Sequence, residues 1–353
     1  MKTYPVGRST MFPVTESDPT MDCVDLDSSV PDWLIEHPGL LPVFRDLGID
    51  YCCGGKSLGT ACREKGLSPQ EVLARCDEQI NGSAVRSVPS QEHLATEKMP
   101  GHWLLARMGK RVLRPGGLEL TQKLLTELAI GANDDVVEFA PGLGVTARLT
   151  LARNPRSYTA IERDRDAVAT VEQYLAGPSQ RCVLGTAEET GLPDGSATVV
   201  YGEAMLSMQM ASVKSRIVAE AARLLKSGGR YGIHELCLVP DDIDPGIGEA
   251  IARELSNDIH VGVRPLTVGE WRKLLTEAGL AVVQEHRAAM RLLEPARVLR
   301  DEGLLRAIRF AWNVVRNREA RRRVLAMRRT FRKYRRHLAA VVLVAKKPIG
   351  SQQ

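Results

Sequence analysis

Aromatic residues and histidines are scarce in this 353-residue chain: five Phe, seven Tyr, four Trp and seven His. No interleaved run of aromatics offers a platform on which nucleic-acid bases would stack, so nucleic acid is not an expected partner despite the positive net charge. No apolar run reaches the roughly 18 residues that span a bilayer. The stretch from Met1 to Thr20 is polar and lacks the apolar centre of a secretion signal, so export is not expected. Cysteines number seven, and four of them (Cys52, Cys53, Cys62 and Cys76) fall in one short stretch. An odd, clustered set is not the pattern of a secreted disulfide framework, and a reducing cytoplasm is the expected location. What is present, 44% hydrophobic and 26% charged residues, is an ordinary globular composition in a chain long enough for two domains.

Positive charge is unevenly placed. Between Pro295 and His337 stand fourteen Arg and one Lys against Asp301, Glu302 and Glu319. The chain as a whole carries +5, so the rest of it is net acidic. Within this segment Leu304, Leu305, Ile308, Ala311, Trp312 and Val315 recur at helical spacing, flanked by Arg306, Arg309 and Arg316. Three readings stand open: a covering helix with a solvated arginine face, a substrate lid for a carboxylated or lipid-like molecule, or peripheral contact with an anionic membrane surface.

The chain divides by pattern. Residues 1–21 read as a disordered tail and 22–79 as a small all-α domain. Helix signals there are Val30–Pro31–Asp32, Leu40 to Leu47 stopped by Gly48, Leu58 to Lys65 stopped by Gly66, and Ser68–Pro69–Gln70–Glu71 as a capping box. Residues 80–99, with Asn81–Gly82 and Pro89, read as a linker. From residue 100 to 348 strand and helix patterns alternate, which predicts a parallel sheet covered on both faces. The candidate strands are Val136–Phe139, Tyr158–Ile161, Arg181–Leu184, Thr198–Tyr201, Arg230–Leu238, Leu280–Arg287 and Leu338–Ala345. Helices are expected over His102 to Leu128, broken at Arg114–Gly117, over Ala211 to Leu225, ended by Gly228–Gly229, and over the 295–336 insertion.

The segment Asp135 to Gly144 concentrates the chemistry. An apolar strand ends in Glu138, and Ala140–Pro141–Gly142–Leu143–Gly144 forms a turn before a helix. Strand, glycine turn and helix N-terminus together make a nucleotide-shaped cradle, and glycines let the backbone approach a ligand. The spacing Gly142 to Ala147 also fits a dinucleotide site. Glu138, however, would repel a pyrophosphate, whereas it suits a ligand bearing an ammonium and a sulfonium. A second strand ends in Glu162, about 20 residues after Gly142, where a carboxylate can take both ribose hydroxyls. Candidates for chemistry lie where open α/β sheets place ligands, at the ends of the fourth and fifth strands: Glu203 and His234–Glu235, with His260 in a later loop.

In these residues the chain resembles the class I S-adenosylmethionine-dependent methyltransferases, over roughly residues 100 to 348. The resemblance implies an α/β fold with a Rossmann-like seven-stranded sheet and S-adenosyl-L-methionine as cofactor. It implies a binding set of Glu138, Ala140, Gly142, Gly144, Glu162, Thr186, Ala187 and Glu203. Ala140 stands where the family often has a further glycine, and Thr186 where an Asp commonly contacts the adenine, with Glu188 close by. His234 and Glu203 are the candidates for catalysis on a small-molecule acceptor. Each has a structural alternative: Glu203 as a wall of the cofactor pocket, His234 as a hydrogen-bonded strand residue.

Residues Asp22 to Glu78 resemble the N-terminal domain of the iron–sulfur cluster repair di-iron proteins, through Phe44–Arg45–Asp46–Leu47–Gly48–Ile49–Asp50–Tyr51–Cys52–Cys53–Gly54–Gly55 and Ala61–Cys62. Those proteins continue into a histidine-rich di-iron bundle, for which this chain has too few histidines. Cys52 and Cys53 are candidates for metal binding across a dimer, for a redox pair with Cys62, or for reactive thiolates. The alternative is a docking module with incidental thiols. A redox- or metal-responsive sensor that binds S-adenosylmethionine without being a dedicated enzyme is the competing function.

Overall fold

The computed structural model describes residues 26, 30, 33, 40–49, 56–81 and 99–349. Eight strands form one sheet: β1 (Asp135–Phe139), β2 (Ser157–Glu162), β3 (Gln180–Leu184), β4 (Ala197–Glu203), β5 (Leu225–Leu238), β6 (Leu266–Thr267), β7 (Ala281–Ala289) and β8 (Leu338–Lys346). The order is β3-β2-β1-β4-β5-β8-β7, with β6 pairing beside the end of β5. Pairs from β3 through β5 are parallel, and β8 runs antiparallel to both β5 and β7. All seven expected strands are present. The eighth, β6, has two residues, too few to leave a periodic trace in sequence.

The chain winds outward from β1 to β3, then returns to place β4 on the other side of β1. That reversal opens a crevice at the C-terminal ends of β1 and β4, where ligands of such sheets bind. Strand alternation sends Val136 and Glu138 to one face and Val137 and Phe139 to the other. On the first face Val136, Tyr158, Tyr201 and Val342 pack under Leu120, Leu124 and Leu125 of a helix. On the second, Phe139, Val200 and Ile233 pack under Ile217 and Trp271. Truncating one such buried leucine to alanine costs about 2–5 kcal/mol.

Thirteen helices are numbered among the described residues. In the N-terminal unit these are α1 (Leu41–Asp46), α2 (Leu58–Lys65) and α3 (Pro69–Asn81). In the larger unit they are α4 (Gly101–Arg107), α5 (Gly117–Glu127), α6 (Val145–Leu151), α7 (Arg165–Glu172), α8 (Ala211–Leu224), α9 (Pro245–Ile259), α10 (Val268–Glu277), α11 (Pro295–Glu302), α12 (Leu304–Arg316) and α13 (Arg318–Lys333). Three boundaries differ from expectation. Helix α8 ends at Leu224 because Leu225 turns straight to extended backbone, so Gly228 and Gly229 lie inside β5 rather than stopping the helix. Helix α3 runs on to Asn81, two residues into the stretch read as linker. At the other end of that stretch, Met99 is buried in a third cluster with Leu104, Leu255 and Phe331.

Helices α11 to α13 form the expected insertion between β7 and β8, broken at Gly303 and Asn317. Helix α12 turns Phe310 and Val314 inward. Its other apolar residues, Leu304, Leu305, Ile308, Trp312 and Val315, are 56–83% exposed. The apolar stripe read from sequence therefore faces outward instead of packing on the sheet. The insertion is fastened by the end of α11. Buried Glu302 accepts from Arg111 N–H at 2.8 Å and Val112 N–H at 2.9 Å, and Asp301 accepts from Leu118 N–H at 3.2 Å. Lys110 is buried beside Glu302, with Nζ 3.7 Å from Oε1.

Gly117, with φ +64°, makes this docking possible, because a Cβ there would lie 2.4 Å from the Asp301 carboxylate. Gly117→Ala is expected to push Asp301 off Leu118 and loosen the insertion. Faster amide hydrogen exchange in residues 295–302, with exchange in β1 and β4 unchanged, is the expected readout.

Candidate active site

The turn after β1 is held in left-handed backbone. Ala140 has φ +51°, Gly142 +55° and Gly144 +68°. Ala140 N–H donates to Ile161 C=O at 2.8 Å, which fixes the turn to β2. An alanine in this region is strained by about 1–2 kcal/mol, which gives a physical reason for the glycine expected there. Gly144 cannot carry a side chain, since a Cβ would meet the Tyr174 ring at 2.7 Å. At Gly142 a Cβ would meet nothing within 4 Å, so this glycine borders open space at the crevice.

Glu162, at the end of β2, ties the turn from the other side. Its carboxylate accepts from Gly142 N–H at 3.0 Å, Arg163 N–H at 2.9 Å and Asp164 N–H at 3.0 Å. Burial raises its pKa, and the backbone donors oppose that rise. A carboxylate offers about four acceptor sites, so one remains after these three bonds. Gly185 N–H donates to Glu162 C=O at 2.9 Å and brings the 185–189 turn alongside. There Thr186 is exposed and bridges Glu189, while Ala187 is buried in the core.

Glu138 points into the sheet's packed face, not into the crevice. Its Oε2 accepts from Tyr158 Oη at 2.5 Å and Tyr201 Oη at 2.6 Å. Burial pushes its pKa up to about 7 against the pull of both phenols. Direct contact with a ligand from this position is replaced by a carboxyl–diphenol cluster beneath the turn.

Glu203 and His234 come together, within a network that is wider than the pair. The Glu203 carboxylate accepts from Arg114, from Thr121 Oγ1 at 2.7 Å and from Thr146 Oγ1 at 2.5 Å, and it meets His234 Nδ1 at 2.7 Å. Burial pulls its pKa up, but the Arg114 charge and the His234 contacts outweigh this and hold it down to about 2. His234 is fully buried, and its Nε2 faces Pro115 C=O at 2.5 Å. Both ring nitrogens thus face oxygen atoms of neighbouring groups. Neither nitrogen is open to a substrate in this arrangement. Glu235, the neighbouring candidate, caps the 206–208 turn by accepting from Met205, Leu206 and Ser207 N–H at 2.8–3.0 Å. His260 is an exposed helix C-cap with φ +57°.

Arg114, Thr121 and Thr146 were not anticipated from sequence. Arg114 sits at the helix break and Thr146 two residues past the glycine turn, but no periodicity links positions so far apart in the chain. In the N-terminal unit, Cys62 and Cys76 are fully buried among Val43, Phe44 and Leu58, and burial raises the Cys62 thiol pKa. Cys62 therefore packs as a small apolar residue. Cys52 and Cys53 lie outside the described residues. Among the described residues no group of three or more His, Cys, Asp or Glu could hold a metal ion.

The methyltransferase domain family matches residues 137–233, and the family ScdA_N, described as a domain of unknown function, matches residues 26–79. An uncharacterised protein of Haemophilus influenzae is 31% identical over 231 residues, which span 64% of this chain and 90% of that protein. The 27-O-demethylrifamycin SV methyltransferase of Amycolatopsis mediterranei is 28% identical over 165 residues, 46% of this chain and 59% of the relative. Among solved structures, phosphoethanolamine N-methyltransferase 2 of Haemonchus contortus, in complex with S-adenosyl-L-methionine, superposes with TM-score 0.55 at 11% identity, covering 70% of this chain and 57% of that one.

Two outcomes are expected. Gly142→Ala puts a methyl group into the open side of the turn at a strain of about 1–2 kcal/mol; calorimetry should show S-adenosylhomocysteine binding weakened beyond what that loss of stability explains. Unchanged affinity would separate Gly142 from the ligand. Glu138 gives a pH signature. Its folded pKa of about 7 exceeds the ordinary 4.5. The folded state therefore keeps a proton that the unfolded state has lost, and stability falls as pH rises between those values. Glu138→Gln should flatten that part of the Tm profile, and a parallel decline would mean the carboxyl is ionised throughout.

Proposed function

Because the chain belongs to the class I S-adenosylmethionine-dependent methyltransferases, we propose that it transfers a methyl group to a small-molecule acceptor bound over the ends of β4 and β5. The observation that carries this reading is the turn at Gly142, open on its ligand side and fastened by Glu162. These residues fit the cofactor: an approachable backbone at Gly142, a spare acceptor site on Glu162 for a ribose hydroxyl, and an exposed Thr186 in the neighbouring turn. S-adenosylmethionine supplies a methyl group already activated on a sulfonium. The protein's share is then alignment and exclusion of water. The relatives act on a rifamycin and on phosphoethanolamine, both small molecules, which supports the acceptor class.

Glu203 and His234 serve this reaction as positioning residues. Their hydrogen-bonding atoms are engaged with each other and with Arg114, Thr121, Thr146 and Pro115. They join the ends of β4 and β5 to the first turn of α6 and so hold the cradle's shape. Arg114→Ala would leave a buried carboxylate short of its cation, a loss of about 3–5 kcal/mol.

The second reading, which rests on the cysteines of the N-terminal unit, is a redox- or metal-responsive sensor that binds S-adenosylmethionine without being a dedicated enzyme. Cys62 is buried, so the thiol chemistry proposed for this unit rests on Cys52 and Cys53.

Incubation with radiolabelled S-adenosylmethionine and a fractionated metabolite extract tests the main reading, with label expected in a small-molecule fraction. Cofactor binding without transfer, joined to a thiol-dependent change in partner binding, would favour the sensor. Tight binding of NAD(H) alone would overturn both. Once an acceptor is found, His234→Asn is expected to lower kcat by about tenfold, equivalent to about 1.4 kcal/mol of barrier, with a smaller change in cofactor affinity. Unchanged turnover would remove His234 from the machinery.

A further inference from the structure

A second concavity stands apart from the cradle. It begins where β7 ends and is closed by α11 and α13, with a volume of about 480 Å³. Ala289 pairs with Ala339 of β8, and Leu338 pairs with Leu238 at the end of β5. The cleft therefore opens at the same edge of the sheet as the cradle, but three strands further along from β4. A volume of several hundred Å³ is that of a small-molecule site.

Its lining is chemically lopsided. Arg291, Arg297 and Arg300 contribute from one wall, and Arg328 and Arg332, one turn apart on α13, face them. Arg335 and Arg336 also line it. Glu294 is the one carboxylate in the lining, 3.8 Å from Arg328 and 3.9 Å from Arg332. Those separations exceed the roughly 2.7–2.9 Å of a charge-assisted hydrogen bond. Arg297 and Arg300 reach Glu119, outside the cleft, at 3.4 and 3.5 Å. Among the described residues, Arg291, Arg335 and Arg336 have no carboxylate within 4 Å, and the buried Nε of Arg328 has no hydrogen-bond partner. Beneath the guanidinium groups lie Met290, Leu292, Leu293 and Phe331, all buried.

Like charges gathered in a concave site raise the local potential and draw an anion. Guanidinium forks match phosphate oxygens two at a time, and an apolar floor takes hydrocarbon. We propose that this cleft binds a phosphate-bearing amphiphile, with the phosphate among the arginines and the apolar part on the Met290–Phe331 floor. A small ester and a lipid headgroup present the same phosphate chemistry to this cleft. The proposal does not depend on the methyl-transfer reading.

The test is calorimetric titration of the full chain with octyl phosphate, with octanol as the uncharged comparison, alongside sedimentation with phosphatidylcholine vesicles with and without phosphatidic acid. Octyl phosphate is expected to bind, more weakly as salt rises, and octanol is not. Arg328→Gln/Arg332→Gln, and separately Arg291→Gln from the opposite wall, should weaken binding, the double variant by at least about tenfold. Arg318→Gln/Arg321→Gln removes the same charge from α13 outside the cleft and should leave affinity unchanged. Phosphatidic acid vesicles that bind and lose binding in the cleft variants identify the headgroup as source. Octyl phosphate binding alone identifies a small ester. The proposal is overturned if neither phosphate binds, if the control variant loses as much as the cleft variants, or if vesicles bind equally to all variants.

Discussion

One buried carboxylate organises the edge of the sheet where β4 ends. Glu203 emerges at the end of β4 and collects Arg114 from the loop before α5, Thr121 from α5, Thr146 from α6 and His234 from β5. Burying an anion is costly unless every acceptor position is satisfied and a cation lies beside it. Here both conditions are met, and meeting them fixes the relative positions of four segments. The glycine turn hangs from the same assembly, because Thr146 is two residues beyond Gly144.

The same constraint repeats along the sheet edge with different partners. Glu138 is satisfied by two phenols, Glu162 by three backbone N–H groups, and Glu235 by the amides of a short turn. Parallel strands end with their side chains near a ligand crevice, so acids placed there serve either ligand or architecture. Three of these four, Glu138, Glu203 and Glu235, are engaged within the fold. Glu162 keeps an acceptor position beyond its three backbone donors.

Charge is segregated on a larger scale as well. The arginines of the insertion turn partly outward with the apolar face of α12 and partly into the cleft beside β7. The acids at the end of α11 turn the other way, onto the 111–118 backbone. An amphipathic pattern in sequence specifies that a helix has two faces. It does not say which face the rest of the molecule covers, and for α12 five large apolar side chains lie on the outward one.

Local pattern determined a good deal by itself. Alternation and glycine punctuation marked seven of the eight strands, the broken helix before β1, a helical insertion over 295–336 and the motif of Glu138, Gly142, Gly144 and Glu162. These are features whose cause lies within a few neighbouring residues: a strand's period of two, a left-handed turn, an acid at a strand end. Tertiary structure decided what those residues touch. Arg114 meets Glu203 across 89 positions and Glu302 meets Val112 across 190. The direction of Glu138 depends on tyrosines contributed by two other strands. His234 reads in sequence as a candidate base, yet its surroundings occupy both ring nitrogens. Contacts of this kind follow from how strands are ordered in the sheet, and the arginine cleft exists only because α11 and α13 close over the end of β7.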